Sequence, residues 1–160
     1  MEDTMNFSLK IEERTFPAEE IIFVEETYLF EEMRDAYKAF MRLGVHAYEH
    51  QGKMTGPCFF RYIGETQESI TVEVCLSIEG ELPEGELVKY RHIPEHTARF
   101  AVGTFVGAYD DIPKAYALMK EEFTSLNLER TGEPMIERFL NYRPNMPKNE
   151  LITELLWPIK

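Results

Sequence analysis

Cysteine is nearly absent from this 160-residue chain. Cys58 and Cys75 are its only two, and they form no C-x-x-C pair. A disulfide scaffold or a thiolate zinc site would need more. Histidine is scarce as well, with four residues. The pair His92 and His96 is not a zincin motif, because its Glu is misplaced and Pro94 disfavours a helix. No third ligand stands at metal spacing, so no metal and no cofactor is expected. There is no glycine-rich phosphate loop, and Ser77 and Ser125 lack the G-x-S-x-G context of a hydrolase nucleophile. No apolar run approaches the roughly 20 residues that span a bilayer. Residues 1–14 are acidic and have no apolar core, which predicts no secretory signal and a cytoplasmic location. Positive charge is in deficit, with 17 basic against 29 acidic side chains and a net charge of −12. A nucleic-acid binder needs a basic face. The best stretch, Lys89, Arg91, His92, His96 and Arg99, is short and interrupted by Pro and Glu. Nucleic acid and membrane are therefore excluded as partners, while small cations are attracted.

What is present is a globular composition, 44% hydrophobic and 29% charged. Residues 6–12 alternate weakly and 18–25 hold the run Ile21-Ile22-Phe23-Val24. Both read as strand, broken or bent near Pro17. From Phe30 the positions Met33, Tyr37, Phe40 and Met41 recur at helical spacing; Gly44 suits the C′ position, with a helix running on towards His50 as the alternative. Residues 58–63 and 69–78 read as a hairpin. Residues 79–85 are acidic, broken by Gly and Pro, and form a connector. The order then returns. Residues 87–91 and 97–107 are extended. Asp110 or Asp111 caps a helix, with Pro113 in its first turn and a stripe of Ile112, Ala115, Tyr116, Met119 and Phe123. Residues 135–142 and 150–159 are strands.

The halves also match in short patches. Glu73 to Ile78 lines up with Glu154 to Ile159 at 81 positions, as does Tyr28 with Tyr109; Ala36-Tyr37 meets Ala115-Tyr116 at 79, and Gly56 meets Gly132 at 76. Their shared order predicts an α+β fold: a duplicated βαββ unit, with a curved, mostly antiparallel sheet and two helices on one side. The chain reads as one domain over 1–160, with pseudo-repeats at about 1–80 and 83–160.

The last strand carries the candidate chemistry. Glu154 shares a face with Ile152 and Leu156, since side chains alternate along a strand. A charge among apolar neighbours must be wet, paired or neutralised. Glu154 therefore either sits at a wet edge, or forms a salt bridge with an Arg or Lys, or waits for a cation, a proton or a ligand donor. If Tyr142 faces Asn149, Glu137 lies opposite Glu154 and the two carboxylates repel. A one-residue slip sends Glu137 to the other face. The same logic puts Cys58 opposite Cys75, as two packed thiols. The aromatic residues Tyr37, Phe59, Tyr109 and Trp157 are candidate walls for an aromatic or cationic ligand. Gly103 and Gly107, with Ala101, leave room for a flat ligand or allow a bend.

Three stretches carry a family resemblance: Gly103-Thr-Phe-Val-Gly-Ala-Tyr109 before a helix; Gly132-Glu-Pro134 with Glu137-Arg-Phe139; and Thr153-Glu-Leu-Leu-Trp-Pro-Ile159. Together they resemble the GyrI-like, or bacterial effector-binding, domain along almost the whole chain. Thr104 stands where that family often has His, and Phe139 where it often has Tyr. The haem-binding SOUL proteins share the fold more distantly. The resemblance implies a stand-alone module that binds bulky, cationic or aromatic molecules in a groove centred on the strand-borne Glu154. Glu137 would support it, with Tyr109, Trp157, Tyr37 and Phe59 as walls. It also implies two other uses: hydrolysis of cyclopropanoid electrophiles by the same Glu, or contact with DNA gyrase or a transcription regulator.

Overall fold

The computed structural model describes residues 5–160. Its strands are β1 (Phe7–Phe16), β2 (Glu19–Leu29), β3 (Phe59–Glu65), β4 (Ser69–Ile78), β5 (Lys89–Ile93), β6 (His96–Val106), β7 (Met135–Phe139) and β8 (Ile152–Pro158). The helices are α1 (Lys38–Glu49) and α2 (Ile112–Ser125), each entered through a 3₁₀ segment, Phe30–Tyr37 and Tyr109–Asp111. The order β-α-β-β thus occurs twice, as β2-α1-β3-β4 and β6-α2-β7-β8. No helix among the described residues is long and apolar enough to cross a membrane.

The chain divides into two compact units. One is Thr15–His96; the other joins residues 5–14 to Thr97–Lys160. In the first, the strand order is β3-β4-β2-β5, and every pairing is antiparallel. In the second it is β1-β6-β8-β7, with β6, β8 and β7 antiparallel. The two orders correspond position for position. The central strands are buried on both faces, which is why Leu155–Trp157 of β8 and Ile21–Val24 of β2 are continuous apolar runs instead of alternating ones. The outermost strand of each order is the one that opens the opposite half of the sequence: β1 in the second unit and β5 in the first. Each packing unit therefore borrows one strand across the predicted repeat boundary.

Three local expectations are corrected. Gly44 does not end α1; the alternative, a helix running on towards His50, is the one adopted. The helix continues to Glu49 because Leu43, His46 and Ala47 carry on its buried stripe, and that packing outweighs the poor propensity of one glycine. Met41, expected in that stripe, is exposed. Both hairpin registers slip by one residue. Phe59, not Cys58, faces Cys75, and both thiols are free and raised in pKa by burial. Arg138, not Glu137, faces Glu154. A side-chain clamp goes with the second register. Asn141 Oδ1 accepts from the Ile152 amide at 2.8 Å, and its Nδ2 donates to the Glu150 carbonyl at 2.9 Å. β7 therefore ends at Phe139, and the pairing closes at Leu140, whose amide donates to the Ile152 carbonyl at 3.0 Å.

Candidate functional site

The one-residue slip separates the two carboxylates onto opposite faces of the β7–β8 pair. Glu154 lies on the face away from α2. Arg14 on β1 grips it bidentately, with Nη1 donating to Oε1 at 2.8 Å and Nη2 to Oε2 at 3.0 Å. Arg138 Nη1 donates to the same Oε1 at 3.0 Å. Glu154 is only 7% exposed. Burial pushes its carboxyl upward, but the hydrogen bonds and charges of Arg14 and Arg138 outweigh this and hold it below the usual carboxylate range. Hydrogen bonding to Glu154 in turn raises the Arg14 guanidinium. The salt-bridge alternative is therefore the one the fold adopts, and Glu154 is neutralised from within the protein. Thr104 on β6 stands opposite it from the other side.

This arrangement occurs twice. In the unit Thr15–His96, Glu73 on β4 receives Arg91 bidentately at 3.0 and 2.9 Å, and Arg61 through a close contact. Arg61 faces Glu73 across β3–β4 as Arg138 faces Glu154 across β7–β8. Arg91 reaches in from the outermost strand of its order, as Arg14 does. Sequence reasoning missed these four arginines. The available signal was a common spacing: Arg61 to Arg138 and Arg14 to Arg91 are both 77 positions, flanking the Glu73–Glu154 match.

Glu137 occupies the other face, under α2, and is 1% exposed. Tyr116 Oη donates to Glu137 Oε1 at 2.7 Å. The Tyr116 ring stacks on Trp157 with centroids 6.3 Å apart, and Phe123 meets Trp157 edge-on at 5.2 Å. Tyr109 meets Phe139 edge-on at 5.2 Å and lies 6.4 Å from Tyr142. Three expected site residues, Glu137, Tyr109 and Trp157, thus share the α2-covered face of one unit. Glu154 does not belong to that group. Tyr37 and Phe59 lie in the unit Thr15–His96. There Tyr37 packs on Phe60 at 5.3 Å, while Phe59, next along β3, points to the opposite face. The space beside Gly103 is filled: a Cβ there would stand 2.7 Å from Met119 Sδ and 2.9 Å from Phe7.

A family model described as a GyrI-like small molecule binding domain matches residues 9–160. No curated protein matches. Among solved structures, EcmrR in complex with DNA is 15% identical with a TM-score of 0.78, over 95% of this chain and 57% of that one. The chain thus spans little more than half of that relative. The EcmrR C-terminal domain is 20% identical, TM-score 0.74, over 98% and 99% of the two chains. SAV2435 bound to tetraphenylphosphonium is 14% identical, TM-score 0.62, over 94% of each. A hydrolase from Listeria innocua is 13% identical, TM-score 0.62, over 94% and 92%.

Proposed function

The chain belongs to the GyrI-like small-molecule binding domain family, and from that premise we propose that it captures a hydrophobic, cationic or aromatic ligand at the aromatic cluster around Glu137. The observation that carries this reading is a carboxylate 1% exposed among Tyr116, Trp157 and Phe139. A buried carboxyl that ionises gains from a cation that brings its own aromatic or aliphatic bulk. The other half of the chain supplies a contrast. At the position matching Glu137, 77 residues earlier, stands Phe60, which stacks with Phe40 at 5.2 Å as plain core. SAV2435, with the same fold, was solved with tetraphenylphosphonium. Because Glu137 is closed to solvent, a ligand reaches it by displacing the Tyr116 hydroxyl. On this reading Glu154, the other strand-borne Glu, holds strands together and is not the counter-charge.

Titration of tetraphenylphosphonium against wild type, Glu137→Gln and Glu154→Gln tests the assignment. Loss of the buried counter-charge is expected to weaken binding at least about tenfold in Glu137→Gln. Glu154→Gln should bind as wild type does while folded. Equal affinity in wild type and Glu137→Gln would remove Glu137 from the role.

A second reading rests on the 2.7 Å Tyr116–Glu137 hydrogen bond. A carboxylate and a phenol so placed are a candidate base and acid for opening a strained electrophile with water. Product formation from a cyclopropanoid substrate that disappears in both Glu137→Gln and Tyr116→Phe would support it. Unchanged substrate in the wild-type incubation would exclude it.

A further inference from the structure

The inner face of β8 carries two polar atoms that the fold leaves over. Thr153 Oγ1 and Trp157 Nε1 are buried and find no hydrogen-bond partner among the described residues. Thr153 is 0% exposed and Trp157 4%. A buried polar atom without a partner is a net cost to folding. Valine would remove that cost at position 153 with almost no change of shape. Proteins keep such groups where function needs them.

Register sets where these two residues stand relative to Glu137. Glu137 faces Leu155, and Phe139 faces Thr153. Thr153 and Trp157 are therefore the diagonal neighbours of Glu137 on the same face, one to each side, with their backbone positions about 7–8 Å from its own. The indole offers only a donor, while a threonine hydroxyl donates or accepts. The face presents donor, carboxylate and donor in a row.

Resting on the ligand-capture reading above, we infer that the ligand is an elongated amine. Its protonated nitrogen donates N–H to Glu137. Hydrogen-bond acceptors, ether or carbonyl oxygens, lie to either side of it and receive Thr153 Oγ1–H and Trp157 Nε1–H. Tetraphenylphosphonium has neither N–H nor acceptor, so it uses the charge and the aromatic walls alone.

Two matched amines test this: bis(methoxyphenethyl)amine, with an ether on each side of the nitrogen, and bis(phenethyl)amine, with none. Calorimetric titrations would use wild type, Thr153→Val, Trp157→Phe and Glu137→Gln. Wild type is expected to prefer the ether-bearing amine by about tenfold. Thr153→Val should cut that preference, leave affinity for bis(phenethyl)amine unchanged, and raise the unliganded melting temperature. Trp157→Phe should cut the preference too. Glu137→Gln should weaken both amines. If wild type shows no preference, or the preference survives both substitutions, the elongated-amine assignment is overturned. The capture reading still stands in that case provided Glu137→Gln weakens both amines. If Glu137→Gln binds both as wild type does, the capture reading falls and this inference with it.

Discussion

Glu154 and Glu137 are buried carboxylates on paired strands, and their neighbours give them different work. Glu154 has two guanidinium partners, so removing its charge leaves Arg14 and Arg138 facing each other. Breaking a buried pair in this way costs about 3–5 kcal/mol. Here Arg14 and Arg138 keep 21% and 25% of their side-chain surface, and water there softens the loss. Glu154→Gln is expected to lose about 2 kcal/mol in denaturant unfolding. The acid dependence has a definite sign. The carboxyl is lowered in the folded protein, so its contribution is complete above the ordinary Glu pKa of about 4.3 and is lost as pH falls below that value through the folded one. Wild type should therefore lose stability more steeply than Glu154→Gln as pH falls below the ordinary Glu pKa of about 4.3. Parallel curves for the two proteins would mean that the ion pair adds nothing.

Among the elements, α1 and β6 give opposite expectations for the same substitution. Gly44 lies inside α1, and a Cβ added there meets nothing within 4 Å. Gly44→Ala should stabilise the protein by about 0.5–1 kcal/mol. A helix ending at Gly44 in a left-handed turn would make the same change destabilising, so thermal melting decides between the two geometries. Gly103 on β6 has Met119 Sδ and Phe7 at under 3 Å from the added atom. Gly103→Ala should cost about 1–3 kcal/mol, because the Met119 and Phe7 side chains must both give way. A neutral result would mean that Met119 and Phe7 repack freely. The hairpins teach a related lesson. Element type and order were legible because apolar period and turn chemistry are local. Register was not, because it depends on the clamp formed by Asn141 with Glu150 and Ile152 and on the irregularity between Tyr62 and Gly64. A one-residue difference then moved Glu137 to the opposite face.

The whole molecule carries a net charge of −12, which raises the local concentration of cations around it. The association rate of tetraphenylphosphonium should fall several-fold between roughly 10 mM and 1 M salt, where the Debye length shrinks from about 30 Å to about 3 Å. A neutral aromatic of similar size should show no such slope in stopped-flow binding, and matching slopes would exclude steering. At this scale the repeat also acquires its chemical content. The Arg–Glu–Arg cluster occurs once in each unit with corresponding strands, whereas the carboxylate under the helix occurs at Glu137 and is replaced by Phe60 in the matching position. On the proposed function, the duplicated feature is scaffold and the unduplicated one the site.

The order of residues alone determined the α+β class, the repeated β-α-β-β sequence, the acidic surface and the presence of carboxylates on buried strands. Each of these follows from local pattern or from counting. Tertiary structure alone decided how the protein neutralises Glu154. Arg14 and Glu154 are 140 positions apart, and no local pattern brings them together. They meet because β1, the first strand of the chain, lies beside β6 and completes the unit that holds β8. Ion pairing depends on distance in space, and here strand order set that distance where sequence spacing could not.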